Sequence, residues 1–286
     1  MNRISVLLLL TAALALGGCD SSDGAPSTGV ETGPFKVLVY TRTASFRHNS
    51  IPTAIASIQS LGAGHGFAVD ASEDPTVYTD ANLAQYAVIA FVNTTGTIVD
   101  SAEQRGAIER FVARGGGFVG VHSAADTEYD WPFYAELIGA YFKNHPVLPV
   151  WAQGGPGVQP GDFHVEAPDH PAVAHLPQPW NVSDEFYAFR SNPRGRVRVL
   201  MTIDENSYNQ NPNTSNLPTS PSFPLGETGT MGDHPMSWCH DKLGGRAWYT
   251  ALGHSEHIYA NPVYLEHLRN GILTAARRLD ADCAAD

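Results

Sequence analysis

Short apolar runs separated by helix-length amphipathic stretches constrain this chain more than any other feature of its sequence. FKVLVYT (residues 35–41), YAVIAFVN (86–93) and FVGVH (118–122) are largely apolar and bounded by turn residues, and FAVDAS (67–72) is a fourth strand-like segment. Runs of that length without a polar alternate face read as strands covered on both sides. The stretches between them have a helical period. Ile51, Ile55, Ile58 and Leu61 fall on one face, with Pro52 in the first turn and Gly-His-Gly at 64–66 as the stop. Ile108, Phe111 and Val112 mark a second helix, capped at Asp100 or Ser101 and closed by the glycines at 115–117. Strand–helix alternation of this kind predicts an α/β fold with a parallel, doubly wound sheet.

Such sheets place their sites beyond the carboxyl ends of the strands. RTASFRH after the first strand, NTTGT after the third and HSAADTEYDW after the fourth all lie at that edge. The second half is less regular. FHVE (163–166), RVLMTIDE (198–205) and RAWYTAL (246–252) read as additional strands, and Asn261-Pro262 opens a last helix with Leu265, Leu268, Ile272 and Leu279 inward. Residues 206–230, rich in Asn, Ser, Thr and Pro, read as a long functional loop. The expected globular unit is a single domain over residues 35–280.

The amino terminus points to export. Asn2 and Arg3 precede an uncharged apolar run at 4–16, too short to span a bilayer comfortably, and LGGC follows at 16–19. Small residues directly before a cysteine resemble a lipobox. Residues 1–18 would then be a lipoprotein signal peptide, Cys19 the diacylated residue, and residues 19–34 a flexible tether to a membrane facing the periplasm or the cell exterior. Two cysteines remain, Cys239 and Cys283. An oxidising compartment permits a bond between them, and one buried thiol with one loose tail thiol is the other reading. With 29 acidic against 17 basic side chains, a formal charge of -12, the chain suits no nucleic-acid backbone. No Walker loop or GxGxxG is present, so no nucleotide is expected.

The chemistry-bearing residues gather near predicted strand ends. His48 follows the first strand, His122 the fourth and His254 the RAWYTAL strand, while Asp184, Glu185 and Tyr187 cluster in DEFYAF. In GVHSA, His122 takes the position of a nucleophile elbow, where class I glutamine amidotransferases place a cysteine. The missing thiol argues against thioester chemistry, and Ser123 is one position off. Imidazoles and carboxylates serve proton transfer beside a carbonyl. They also serve a divalent ion such as Zn²⁺, for which His48, His122, Glu185 and His254 are the candidate ligands. His122, Glu185, His48 and Asp126 are the candidate catalytic residues. Asp126 has a second reading as a helix cap. Arg246, Trp131, Tyr187, Trp238 and His170 are candidates for holding a substrate. For Arg246 the competing role is an internal ion pair, and for the aromatics the core. His145-Pro146, His170-Pro171 and His234-Pro235 are turn dipeptides first. His65, His164, His175, His240, His257 and His267 read as surface or packing residues.

SFRHNS (45–50), GGGFVGVHSAADT (115–127), EAPDHPAV (166–173), DEFYAF (184–189), HPMSWC (234–239) and GGRAWYTALGH (244–254) together resemble the ThuA-like, or trehalose utilisation, family. The motifs span roughly residues 35 to 280 in matching order. That resemblance implies a flavodoxin-like sheet of the class I glutamine amidotransferase type. It also implies a carbohydrate substrate, a disaccharide or keto-glycoside, cleaved or isomerised beside a sugar oxidoreductase of the same pathway. A glycan-binding surface module without catalytic power is the alternative.

Overall fold

The apolar runs become strands, as their composition requires. The computed structural model describes residues 30–146, 157–210 and 228–285. In chain order the elements are β1 (Phe35–Tyr40), α1 (Ile51–His65), β2 (Phe67–Ser72), α2 (Asp80–Leu83), β3 (Val88–Val92), α3 (Ala102–Ala113), β4 (Gly117–Val121) and α4 (Pro132–Ile138). The second half adds β5 (Phe142–Asn144), β6 (Val158–Val165), β7 (Trp180–Glu185), β8 (Ala188–Phe189), β9 (Arg198–Ile203), β10 (Pro235–His240), β11 (Ala247–Thr250) and α5 (Pro262–Ala275). Every residue of β3 and β4 is buried, which accounts for their lack of a polar face.

Nine strands form one sheet in the order β2-β1-β3-β4-β11-β10-β9-β6-β7. The first five run parallel, in the 2-1-3-4-5 order of flavodoxin-like sheets, with β11 as the fifth strand. The last four continue the sheet antiparallel. Helices cover both faces of the parallel part. A Cβ on Gly117 would strike the Ala275 carbonyl of α5, and one on Gly120 would strike Ile138 of α4. Residues three apart on a strand point to opposite faces, so α5 and α4 lie on opposite sides of β4.

The antiparallel wing curls. On a flat sheet β7 would stand four strand spacings, about 19 Å, from β11. Instead Asp184 at the end of β7 accepts a hydrogen bond from the Gly253 amide just past β11, at 2.6 Å. This curl, unforeseen from the sequence, carries the end of β7 to the rim of the parallel strands.

Several sequence expectations need correction. FHVE is only the end of a longer β6, and β5, β7, β8 and β10 lie where no strand was expected. The last helix stops at Ala275, so Leu279 lies beyond it, and its buried face is Tyr264, His267, Leu268, Gly271, Ile272 and Ala275. Residues 1–29, including the lipobox and Cys19, lie outside the described residues. Within the last residues of the expected tether, the Glu31 amide donates to the Arg277 carbonyl at 2.9 Å. Most of the 206–230 segment also lies outside them; its first residues form a short 3₁₀ turn, Glu205–Ser207. Among the described residues no helix is long and apolar enough to cross a membrane. Cys239 and Cys283 form a disulfide.

His267 is core. Its Nδ1 donates to the Ala172 carbonyl at 2.8 Å, and Nε2 meets the Thr250 hydroxyl at 3.2 Å. Burial pushes its pKa down to about 3. Burial first, then the charges of Arg246 and Arg198, takes His170 down to about 4. Both rings bind a proton more weakly folded than unfolded. The stability they contribute is therefore complete above the ordinary value near 6.5 and is lost as pH falls from there toward the folded values. Acidifying from about pH 7.5 to about 5.5 should remove roughly 1.4 kcal/mol per histidine, read as a falling thermal midpoint. A midpoint that does not fall over that interval would count against this contribution.

Candidate functional site

The rim at the carboxyl ends of β1, β3, β4 and β11 is built from tightly specified turns. His122 leaves β4 with φ of +50°, and Asn93 leaves β3 with φ of +53°. A non-glycine residue in the left-handed region at a strand end is a costly conformation kept at functional turns. The His122 turn is held by the Tyr249 hydroxyl, which donates to the His122 carbonyl at 2.9 Å. Beyond β11, Gly253 has φ of +126°, and a Cβ there would strike Val121 and the Tyr259 and Tyr264 hydroxyls. Only glycine allows the chain to pass so close. The buried Asp184 carboxylate then accepts hydrogen bonds from the Gly253, His254 and Ser255 amides at 2.6, 3.2 and 3.2 Å. Asn93 completes the brace, its amide donating to the Ser50 hydroxyl at 2.9 Å and the Gly253 carbonyl at 3.1 Å.

These turns bring His48, His122, Glu185 and His254 together, one ligand-type atom of each lying within 4.8 Å of the others. His254 Nδ1 is 3.1 Å from Glu185 Oε2 and 3.3 Å from His122 Nε2, and His122 Nε2 is 3.4 Å from Glu185 Oε2. The His122 ring is doubly fixed. Its Nδ1 donates to the Ala251 carbonyl at 2.7 Å, and the Tyr187 ring lies 4.1 Å from it, centroid to centroid. With Nδ1 carrying that hydrogen, Nε2 is the ring nitrogen that faces Glu185 and His254. His48 stands edge-on to His122 and His254 at 4.9 and 5.0 Å, and its Nδ1 meets the Ser123 hydroxyl at 3.3 Å.

Three of the four residues are buried and His254 is partly exposed, so charge is felt strongly here. Burial, then the neighbouring His122 and His254, pushes the His48 pKa down to about 2. Burial also opposes the charged form of His254, but the Glu185 carboxylate outweighs it and the pKa is raised. For Glu185 burial is again the largest single effect and is overcome by His145, His254 and His122, which hold the carboxyl well below its usual range. A buried, ionised carboxylate ringed by imidazoles of opposed proton affinity is an arrangement typical of functional sites.

The ThuA family model, described as trehalose utilisation, matches residues 36–275. The chain belongs to the ThuA family. A ThuA-like protein from Bacteroides uniformis is 24% identical over 87% of this chain and 94% of its own, with a TM-score of 0.64. A second, from Parabacteroides merdae, is 18% identical over 88% of this chain and 98% of its own, with a TM-score of 0.61. Both likenesses concern the fold. No curated protein matches the chain.

Within this ThuA domain the other sequence candidates divide. Tyr187 lies against His122, buried, with its pKa raised well above the usual value by burial and then by Glu185. Asp126 is in the turn after His122 but outside the four-residue cluster. It accepts the Tyr129 hydroxyl at 2.6 Å, and burial raises its pKa. Four candidates for holding a substrate lie outside the four-residue cluster and have partners within the fold. Trp131 is buried, donating to Glu109 at 2.8 Å and stacking on Phe133 and Tyr134. Trp238 is buried, donating to the Ile138 carbonyl at 2.9 Å and packing on Tyr249. Arg246 precedes β11, at the end of that strand away from the cluster, and grips both Asp241 oxygens at 2.8 and 2.9 Å. His170 packs against the Cys239–Cys283 disulfide, 3.6 Å from Cys239 Sγ. Each satisfies a buried polar atom or fills the core, which a sequence does not distinguish from ligand contact. Ser123 is fully buried beneath His48, a poor position for a nucleophile.

Sequence reasoning also passed over residues that matter here. His145 Nε2 lies 3.2 Å from Glu185 Oε1; its His-Pro dipeptide masked it as a turn. Asn93 and Ser50 brace the His254 loop together with Asp184, to which the DEFYAF segment had already drawn attention. Phe46 is 62% exposed, yet its ring stands 4.8 Å from that of His48. A phenylalanine alone in the polar RTASFRH loop was the available signal.

Proposed function

We propose that this ThuA protein processes a carbohydrate bearing a carbonyl, cleaving or isomerising a keto-glycoside with the His–Glu cluster as its acid–base machinery. The carrying observation is the convergence of His48, His122, Glu185 and His254 at one rim of the sheet. The family description, trehalose utilisation, supports the substrate class. A carbonyl acidifies the adjacent C–H, so bases as weak as imidazole suffice. The proton passes from that carbon to the cluster while the C–H electron pair moves toward the carbonyl. In cleavage the glycosidic C–O bond beyond that carbon then breaks, its electron pair leaving with the oxygen, which takes up a proton. His122 and Glu185 carry protons in this reading, and His48 and His254 polarise the carbonyl. We further propose that the domain is exported and held at a membrane through Cys19, with a sugar oxidoreductase supplying the ketone.

The test is incubation with 3-keto-trehalose and with trehalose, following product sugars. Turnover of the keto form alone is the expected result. Binding without turnover would favour a glycan-binding module, and neither binding nor turnover would overturn both readings.

Phe46 supplies the apolar platform that Trp131 and Trp238 do not. Its exposed ring beside His48 is placed to meet the C–H face of a pyranose. Phe46→Ala should raise KM by roughly 5–10-fold with kcat changed less than about 2-fold, and Phe46→Trp should restore KM, in keeping with the strength of one aromatic contact. An unchanged KM in the alanine variant would remove Phe46 from the site.

A further inference from the structure

The cluster also carries an inference about its charge balance that does not depend on the ligand being a sugar. We propose that His122 Nε2, Glu185 Oε2 and His254 Nδ1 form a three-ligand site for a divalent cation of zinc type, with His48 beside its fourth position.

Four observations lead there. The three atoms form a nearly equilateral triangle with edges of 3.1, 3.3 and 3.4 Å. Ligands about 2.0–2.1 Å from a tetrahedral ion stand about 3.3–3.4 Å from one another, so this triangle has the size of one tetrahedral face. Second, the His122 Nδ1 hydrogen is committed to the Ala251 carbonyl, so Nε2 is the ring nitrogen turned toward Glu185 Oε2 and His254 Nδ1. An ion at the centre satisfies all three. Third, each ligand is held by a second partner, as metal ligands are. These are the Ala251 carbonyl for His122, His145 for the other Glu185 oxygen, and Asp184 for the backbone of His254. Fourth, two imidazoles and a carboxylate are a donor set that leaves zinc an open position. The other grouping of ligand types among the described residues, His170 with Cys239 and Cys283, has its sulfurs joined in a disulfide and offers no thiolate.

With the ion in place, His122 and Glu185 would serve as ligands rather than proton carriers, and His48 would remain as the free base next to the open position.

The experiment uses the full chain, non-reduced, stripped with a chelator and dialysed against Zn²⁺ or Co²⁺. Metal is counted by atomic spectroscopy, and the Co²⁺ form is read by its visible absorption. About one ion per chain is expected, with the intense visible bands of low-coordinate cobalt. Glu185→Gln and His254→Ala should each weaken binding by more than about 100-fold, beyond the loss typical of outer-sphere partners. His257→Ala, outside the cluster, should keep it, and circular dichroism confirms that each variant is folded. Failure to hold stoichiometric metal would overturn the proposal, as would equal retention in the Glu185 and His254 variants. Because no sugar is involved, the two readings separate. A chain that holds no stoichiometric metal yet turns over keto-glycosides sinks the ion and keeps the enzyme, and a loaded chain inert toward every glycoside does the reverse.

Discussion

Glu185→Gln is expected to lower turnover of a 3-keto-glycoside by at least about 10³-fold while leaving the fold intact, because one buried charge organises the whole cluster. Its carboxylate lies within 3.4 Å of His122, 3.1 Å of His254 and 3.2 Å of His145. Glutamine keeps the shape and removes the charge. His254 then loses the partner that raises its proton affinity against burial, and His145 and His122 face a neutral amide that must offer a donor to at least one of them. The loss follows whether Glu185 carries a proton or holds an ion, so the variant tests the location of the chemistry rather than its details. It would be measured as single-turnover product formation, with substrate affinity by calorimetry and secondary structure by circular dichroism. A Glu185→Gln protein that keeps more than about one tenth of the wild-type rate would place the chemistry elsewhere, since loss of a single acid–base group ordinarily removes a factor of 10² or more.

The positions of His48, His122 and His254 were legible because they depend on local signals. Each follows a strand recognisable by its apolar run, and a parallel sheet delivers all such ends to one rim. The parallel, doubly wound sheet was implied by the same alternation, and its flavodoxin-like type by the resemblance to the ThuA-like family. Glu185 was singled out for its chemistry and its motif, but its route to the rim was not readable. It rides on β7, at the far edge of the sheet, and arrives only because the antiparallel wing curls. Curl is a sum of twists over many residues, with no short-range signature. The placements of Trp131, Trp238, Arg246 and His170 outside the cluster share a cause. Polar or aromatic side chains near family motifs serve burial as readily as binding, and the choice is made by the partners the fold supplies, such as Glu109, Ile138, Asp241 and the disulfide. His145 was missed for the opposite reason, since its local turn signal was genuine and hid a long-range contact with Glu185.

Replacing both Cys239 and Cys283 by alanine should remove about 4 kcal/mol of stability and leave turnover nearly unchanged. The bond links residues 44 apart, and closing a loop of that length in the unfolded chain accounts for a value of that size in the chain-entropy description. In a domain of this size that loss lowers the thermal midpoint by about 8–16 °C. Both sulfurs are buried, so alanine is the safer replacement, because serine would add two buried hydroxyls. Catalysis should be spared for a topological reason. Cys239 pairs with Trp248, near the start of β11, whereas the cluster is assembled past the end of that strand, at His254. The bond ties the carboxyl-terminal tail to the end of the strands opposite the cluster. Glu185→Gln and the double cysteine variant should therefore be mirror images, one inactive and stable, the other active and heat-labile. Calorimetry and turnover on the same two preparations check this. A cysteine variant that lost activity well below its own melting temperature would mean that the two ends of the strands are coupled, contrary to the division of labour in this fold.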